Sequence, residues 1–204
     1  MQGSELKTRL ELYGELSDAS YGDSSRYLML QEGYEHVCNK LWARNFYWQK
    51  NSAQITVIQT TRAYTINSAV KLHYLERDED KRRIDIIPIE KSVGDYYEDA
   101  HKVRWDPENN KIIYVQDPVE TGEHTYYYTA AIETIEAATV PRHVPVSFHR
   151  LIPIAAIVIL KLVETDKYLQ HWAMQLEAGI KDCISTHKYH STGPEYVSMD
   201  EPFD

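Results

Sequence analysis

From Val140 to Lys161 the chain reads VPRHVPVSFHRLIPIAAIVILK, a proline-marked approach that runs into ten consecutive apolar residues, Leu151 to Leu160. A membrane-spanning helix requires roughly 20 such residues, so the run is read as a helix that closes the core of a globular chain. Pro141 and Pro145 lack backbone donors and hold the approach extended. The segment therefore suits a strand or loop that turns sharply into a helix. Pro153 removes a further donor and crowds the preceding turn, which predicts a kink or a fresh helix start beside it.

The rest of the chain is read outward from that segment. Leu6, Leu10, Tyr13 and Leu16 recur at helical spacing, predicting a short helix over 4–16. A second helix, capped by Asp23 or Ser24, carries the stripe Tyr27, Leu30, Tyr34, Val37 and Leu41, ends near Asn45 and exits through Phe46, Tyr47 and Trp48. Beyond Lys50 the period changes to about two, with strands at Ile55 to Gln59, Val70 to Tyr74 and Ile84 to Ile89. The charged stretch Glu76 to Arg83 is read as a solvated loop. Gly94 to His101 is a loop or short helix, Val103 to Gln116 is a hairpin turning at DPENN, and a tyrosine-rich strand runs from His124 to Glu133.

Two closing helices follow, Ser147 to Glu164 and Asp166 to Lys188, the last with the stripe Leu169, Trp172, Leu176, Ile180 and Ile184. The expected fold is α+β. Helices within 1–50 and 140–188 form one helical unit around a small antiparallel β-domain of five to seven strands at 51–139, and 189–204 is an extended C-terminal tail. Tyr189, Tyr196, Met199 and Phe203 are its candidate anchors on a partner. Tyr34, Trp42, Trp48 and Trp172 are candidate subunit contacts, because large amphipathic rings suit protein interfaces and the 204-residue chain carries 16 tyrosines.

The formal charge of −9, from 22 basic and 31 acidic residues, opposes tight binding of nucleic acid, which requires Lys and Arg against phosphate. Cys38 and Cys183 lack the close spacing of a zinc or redox site and are read as buried thiols of a reducing compartment. The N-terminus lacks the apolar centre of a signal peptide. No phosphate loop, dinucleotide fingerprint, nucleophile elbow or HExxH motif occurs. No catalytic residue, cofactor or metal ligand is therefore assigned. His187 and His190 are read as a surface pair where the last helix frays, and His149 as a residue that satisfies a backbone group. The chemical alternative is a small cytoplasmic hydrolase using His149 or loop carboxylates such as Asp78 with Asp80, or Asp95 with Glu98 and Asp99.

Taken in order, the elements resemble the head-to-tail adaptor proteins of tailed bacteriophages. The resemblance lies in the helix with Leu30, Tyr34 and Leu41 ending in Phe46 to Trp48, in RRIDIIPI at Arg82 to Ile89, and in VPVSFHRLIPIAA at Val144 to Ala156. In the last motif Pro145, Phe148, His149 and Ala155 occupy the places of the family's proline, phenylalanine, histidine and small-residue helix. Pro153 and the charged stretch 76–83 depart from the pattern. The resemblance implies a virion neck protein, made in the host cytoplasm and assembled as a ring of about twelve copies under the portal protein. Its C-terminal tail would engage the portal or a neighbouring copy. The ring would offer a surface to the next neck or tail protein, such as a stopper or tail tube, and its channel would pass DNA without specific binding. No membrane is involved. A tail-completion or baseplate component is the second structural reading.

Overall fold

The computed structural model describes residues 1–14, 16, 21–87, 102–115, 117, 118, 121–162 and 166–187. The chain forms two compact units, one from Met1–Gln49 with Ile132–Asp204 and one from Lys50–Ala131.

The first unit is helical. Helix α1 spans Gly3–Gly14, α2 Asp23–Trp42, α3 Leu151–Leu160 and α4 Asp166–Thr186. Their apolar stripes meet in one core that includes Leu6 and Leu10 of α1, Leu30, Val37 and Leu41 of α2, and Leu176, Ile180 and Cys183 of α4. Helix α3 is buried from Leu151 through Ile157, as befits a helix with no polar face. Gly33 allows α2 to press closely on α3. A Cβ there would meet the carbonyl oxygen of Ile152 and lie 2.8 Å from the amide nitrogen of Ala156.

Several expectations are corrected in this unit. No continuous helix runs from Ser147 to Glu164. Val146–Phe148 is a separate 3-10 turn, and α3 begins at Leu151. Pro153 thus falls in a first turn, where backbone N–H groups have no intrahelical acceptor and a missing donor costs little. Lys161, with φ 51° in the left-handed region, ends the helix. Neither Asp23 nor Ser24 caps α2, since the N-cap is Gly22 with no side-chain hydrogen bond. Asp23 sits instead in the first turn, where its charge favours the helix dipole, and pairs with Lys7 at 2.9 Å.

The second unit overturns the expected fold class. It is a seven-stranded, nearly closed, barrel-like mixed sheet rather than a small antiparallel domain flanked by helices. The strands are β1 Asn51–Val57, β2 Ala63–Thr65, β3 Ala69–Arg77, β4 Arg83–Ile87, β5 Lys102–Asp106, β6 Lys111–Tyr114 and β7 Gly122–Ala130. Their order in the sheet is β1-β7-β3-β4-β5-β6-β2. β4 and β5 pair in parallel, Asp85 beside Lys102 through Ile87 beside Arg104. The expectation of a wholly antiparallel sheet fails at this pair, since parallel neighbours cannot be joined by a tight hairpin. The three-residue β2 has too few residues to show a period.

Turn chemistry sets the hairpins that do occur. Asp106 Oδ1 accepts the N–H groups of Glu108 and Asn109, each at 3.1 Å, and Asn110 takes the left-handed conformation with φ 49°. The charged loop is shorter than expected, because Glu76, Arg77 and Arg83 belong to strands. Asp80 accepts from Arg82 N–H at 3.1 Å and from Arg77 Nε at 3.0 Å, and Lys81 has φ 60°. Alternate residues of β7, His124, Tyr126 and Tyr128, turn into the sheet's own core with Leu72, Leu75, Val103 and Ile112.

Candidate functional site

The proline-led approach to α3 is the most organised polar region of the helical unit. Pro145 starts the 3-10 turn in extended conformation, and the turn points both Phe148 and His149 inward. His149 has no exposed surface. Its Nε2–H donates to the Val144 carbonyl at 2.9 Å, and its Nδ1 lies 3.1 Å from the backbone amine of Met1. Burial lowers the pKa of this imidazole, which keeps it neutral. The ring ties the extended approach segment to the turn that follows it, so its work is to fix a corner of the chain.

A second knot lies one step earlier. His143 N–H donates to the Tyr34 hydroxyl at 3.0 Å, His143 Nε2 stands 3.4 Å from Glu133 Oε2, and the Trp42 ring meets the His143 ring edge-on with centroids 5.6 Å apart. Tyr34, expected as a subunit contact, is 0% exposed. That expectation is corrected: a tyrosine at the centre of the α2 stripe serves its own core and hands its hydroxyl to the approach to α3. Burial raises its pKa far above the usual phenol value. Trp42, Trp48 and Trp172 are only partly buried against the same core. Trp172 meets Tyr13 with ring centroids 5.0 Å apart.

His187 was not legible as more than a surface residue. It directly follows α4 and lies between two aromatic rings, Trp48 at 4.8 Å and Phe148 at 5.8 Å between centroids. His187 is therefore held by its neighbours at the point where α4 ends. The available signal was the aromatic run Phe46 to Trp48, which needs partners from elsewhere in the chain. Arg26 was also missed. It is buried, with Nη1 2.8 Å from Glu11 Oε1 and 3.3 Å from Asp23 Oδ1, and its spacing to Leu30, Tyr34, Val37 and Leu41 places it on the buried face of α2. Tyr189, Tyr196, Met199, Phe203 and His190 lie outside the described residues, as do Asp95, Glu98 and Asp99.

Outside this unit the sheet presents a polar and aromatic face. Tyr74 stacks on Tyr127 at 4.5 Å, with the Arg83 guanidinium 4.8 Å above the Tyr74 ring. Asp78 accepts from Thr125 Oγ1 at 2.6 Å and from Gln54 Nε2 at 2.7 Å, and these bonds, Thr125 first, lower its pKa. Inside the sheet the Tyr114 hydroxyl lies 2.7 Å from His124 Nδ1. Both cysteines are free and buried in the helical core. Burial pushes Cys38 well up and Cys183 to about 12, so neither supplies a thiolate at neutral pH.

Among the described residues no three His, Cys, Asp or Glu side chains gather to hold a metal ion, and no helix is long and apolar enough to cross a membrane. No protein-family model matches the chain, and no curated protein matches it.

Proposed function

We propose that this chain is a structural adaptor of a virion neck, a ring component that docks under a portal protein and connects a DNA-filled head to the tail. The observation that carries the reading is the character of α4. One face, Leu176, Ile180 and Cys183, is locked into the helical core. Tyr168 and Met174 remain 63% and 74% exposed, and the helix, pinned at His187, leads directly into residues 188–204 with their Tyr189, Tyr196, Met199 and Phe203. A held helix with exposed aromatic and thioether side chains, continued by a polar segment carrying spaced apolar anchors, suits docking on a partner.

The burial of His149 weighs against the hydrolase alternative. An acid or base must reach its substrate's proton, and here the ring is enclosed and spent on a backbone carbonyl. Asp78 and Asp80 are likewise engaged by neighbours within the sheet and its turn. The acidic balance suits a channel wall along which DNA must pass, since basic residues there would trap phosphates. The partners are the portal, further copies of the chain in a ring of about twelve, and the next neck or tail protein. No cofactor or catalytic step is part of this reading.

The direct test is co-sedimentation with purified portal rings of the full chain, a version ending at Lys188, and the double variant Tyr196→Ala with Phe203→Ala. The full chain is expected to sediment with the rings, and the two altered chains to remain in the supernatant. Equal binding by all three would remove the tail from the docking surface, and no binding by any would overturn the neck assignment.

A further inference from the structure

The apolar stripe of α4 runs out onto a histidine. Ile180 and Cys183 are fully buried and Ile184 is partly buried. His187, seven residues after Ile180 and four after Cys183, continues the same face. Its backbone N–H donates to the Cys183 carbonyl at 3.2 Å, which carries the helical bonding one residue past Thr186. Ser185 and Thr186 beside it are exposed. Among the described residues after Cys183, the inward positions are therefore Ile184 and His187.

What His187 meets comes from two other stretches of the chain. Its ring stands at 58° to Trp48 and at 82° to Phe148, tilted and edge-on arrangements that aromatic rings favour. Trp48 in turn stacks on Phe46, with centroids 6.5 Å apart. Phe46 and Phe148 are members of the buried core, and the Phe46 N–H is fixed on the Leu41 carbonyl at 3.0 Å. Trp48 and His187 are the rings laid over that base. Each stands where the chain is about to leave the helical core, Trp48 just before the second unit begins at Lys50 and His187 just after α4. A ring contact contributes roughly a factor of two to ten in an equilibrium, so it holds a helix end without locking it. We propose that His187 is a releasable latch: seated on Trp48 and Phe148 it orders both the end of α4 and the stretch Phe46 to Trp48, and withdrawn it loosens the two together. The two exits then share one local opening equilibrium, and whatever biases one biases the other by the same factor. The latch is read without a portal and stands apart from the docking role.

The test is amide hydrogen exchange of the full chain beside His187→Ala, His187→Phe and Trp48→Ala, each first confirmed as folded by circular dichroism. His187→Ala is expected to speed exchange roughly tenfold, the size of such ring contacts, at Ile184 to Thr186 and also at Phe46 to Trp48. Trp48→Ala is expected to do the same at Ile184 to Thr186. His187→Phe returns a ring to the site and is expected to keep both stretches protected. The unaltered chain supplies a measurement that needs no variant: under rising mild denaturant, exchange in the two stretches should accelerate together. Faster exchange only beside the substituted residue, a His187→Phe chain as loose as His187→Ala, or stretches that open independently in the unaltered chain would each overturn the latch. The portal assay reads none of these quantities, so the two proposals fail separately.

Discussion

His149 joins a sequence position to a geometric task. Its ring donates to Val144 and fills space at the corner before α3. His149→Ala removes the donor, leaves a buried carbonyl without its partner and opens a cavity. The expected loss is about 2–4 kcal/mol of folding stability, read by urea denaturation, and an unchanged midpoint would contradict the role. His73 makes a pH prediction of definite sign. Its Nε2 lies 2.8 Å from Thr129 Oγ1, and burial, then Lys50 and Lys71, hold its pKa down to about 4 against an ordinary 6.5. The unfolded chain therefore takes up the proton first, and stability falls as pH drops from about 6.5 to about 4 and levels below. The difference, discounted for solvent screening, is about 2 kcal/mol. His73→Gln should flatten that slope in denaturation curves measured across the window. At this scale the sequence told much about His149, because a histidine at a proline-marked corner has a backbone to serve. It told little about Tyr34 or His187, whose partners come from distant parts of the chain.

Among the elements, α2 and α3 meet in a close backbone contact that can be tested directly. Gly33→Ala improves intrinsic helix propensity by up to about 1 kcal/mol, but the new methyl would press on backbone atoms of Ile152 and Ala156 that have no rotamer to change. Overpacking costs roughly 1–3 kcal/mol, so a net loss is expected in thermal melting, and a gain would show that the helices can separate freely. Helix periodicity was legible because apolar positions such as Leu30, Val37 and Leu41 repeat along one face. The sheet was legible as strands but not as topology. Period two marks β3 and β7, yet nothing local states that β4 and β5 run parallel, or that β7 inserts between β1 and β3. Those pairings are decided by long-range burial, Leu75 against Tyr126 for example, which a linear pattern does not record.

For the whole molecule, the chain divides its work between a helical unit made from its two ends and a barrel-like sheet made from its middle. Each has its own apolar core. Histidines and tyrosines that a search for chemistry singles out are mostly taken up in holding corners and strands together. Exposed Tyr168 and Met174 on α4 and the net negative charge are what the proposed docking role draws on. The proposed neck role assigns docking to α4 and the segment after it, and the acidic surface to the DNA path. It predicts that deletion beyond Lys188 abolishes docking; the described residues of the helical core all lie upstream, so the thermal melting of the helical unit is expected to change by no more than about 0.5 kcal/mol. The most direct measurement is electron microscopy of the full chain mixed with purified portal rings. The account predicts an added ring of density stacked on the portal, absent with the chain ending at Lys188. Bare portal rings with the full chain, at every concentration and salt tried, would contradict it.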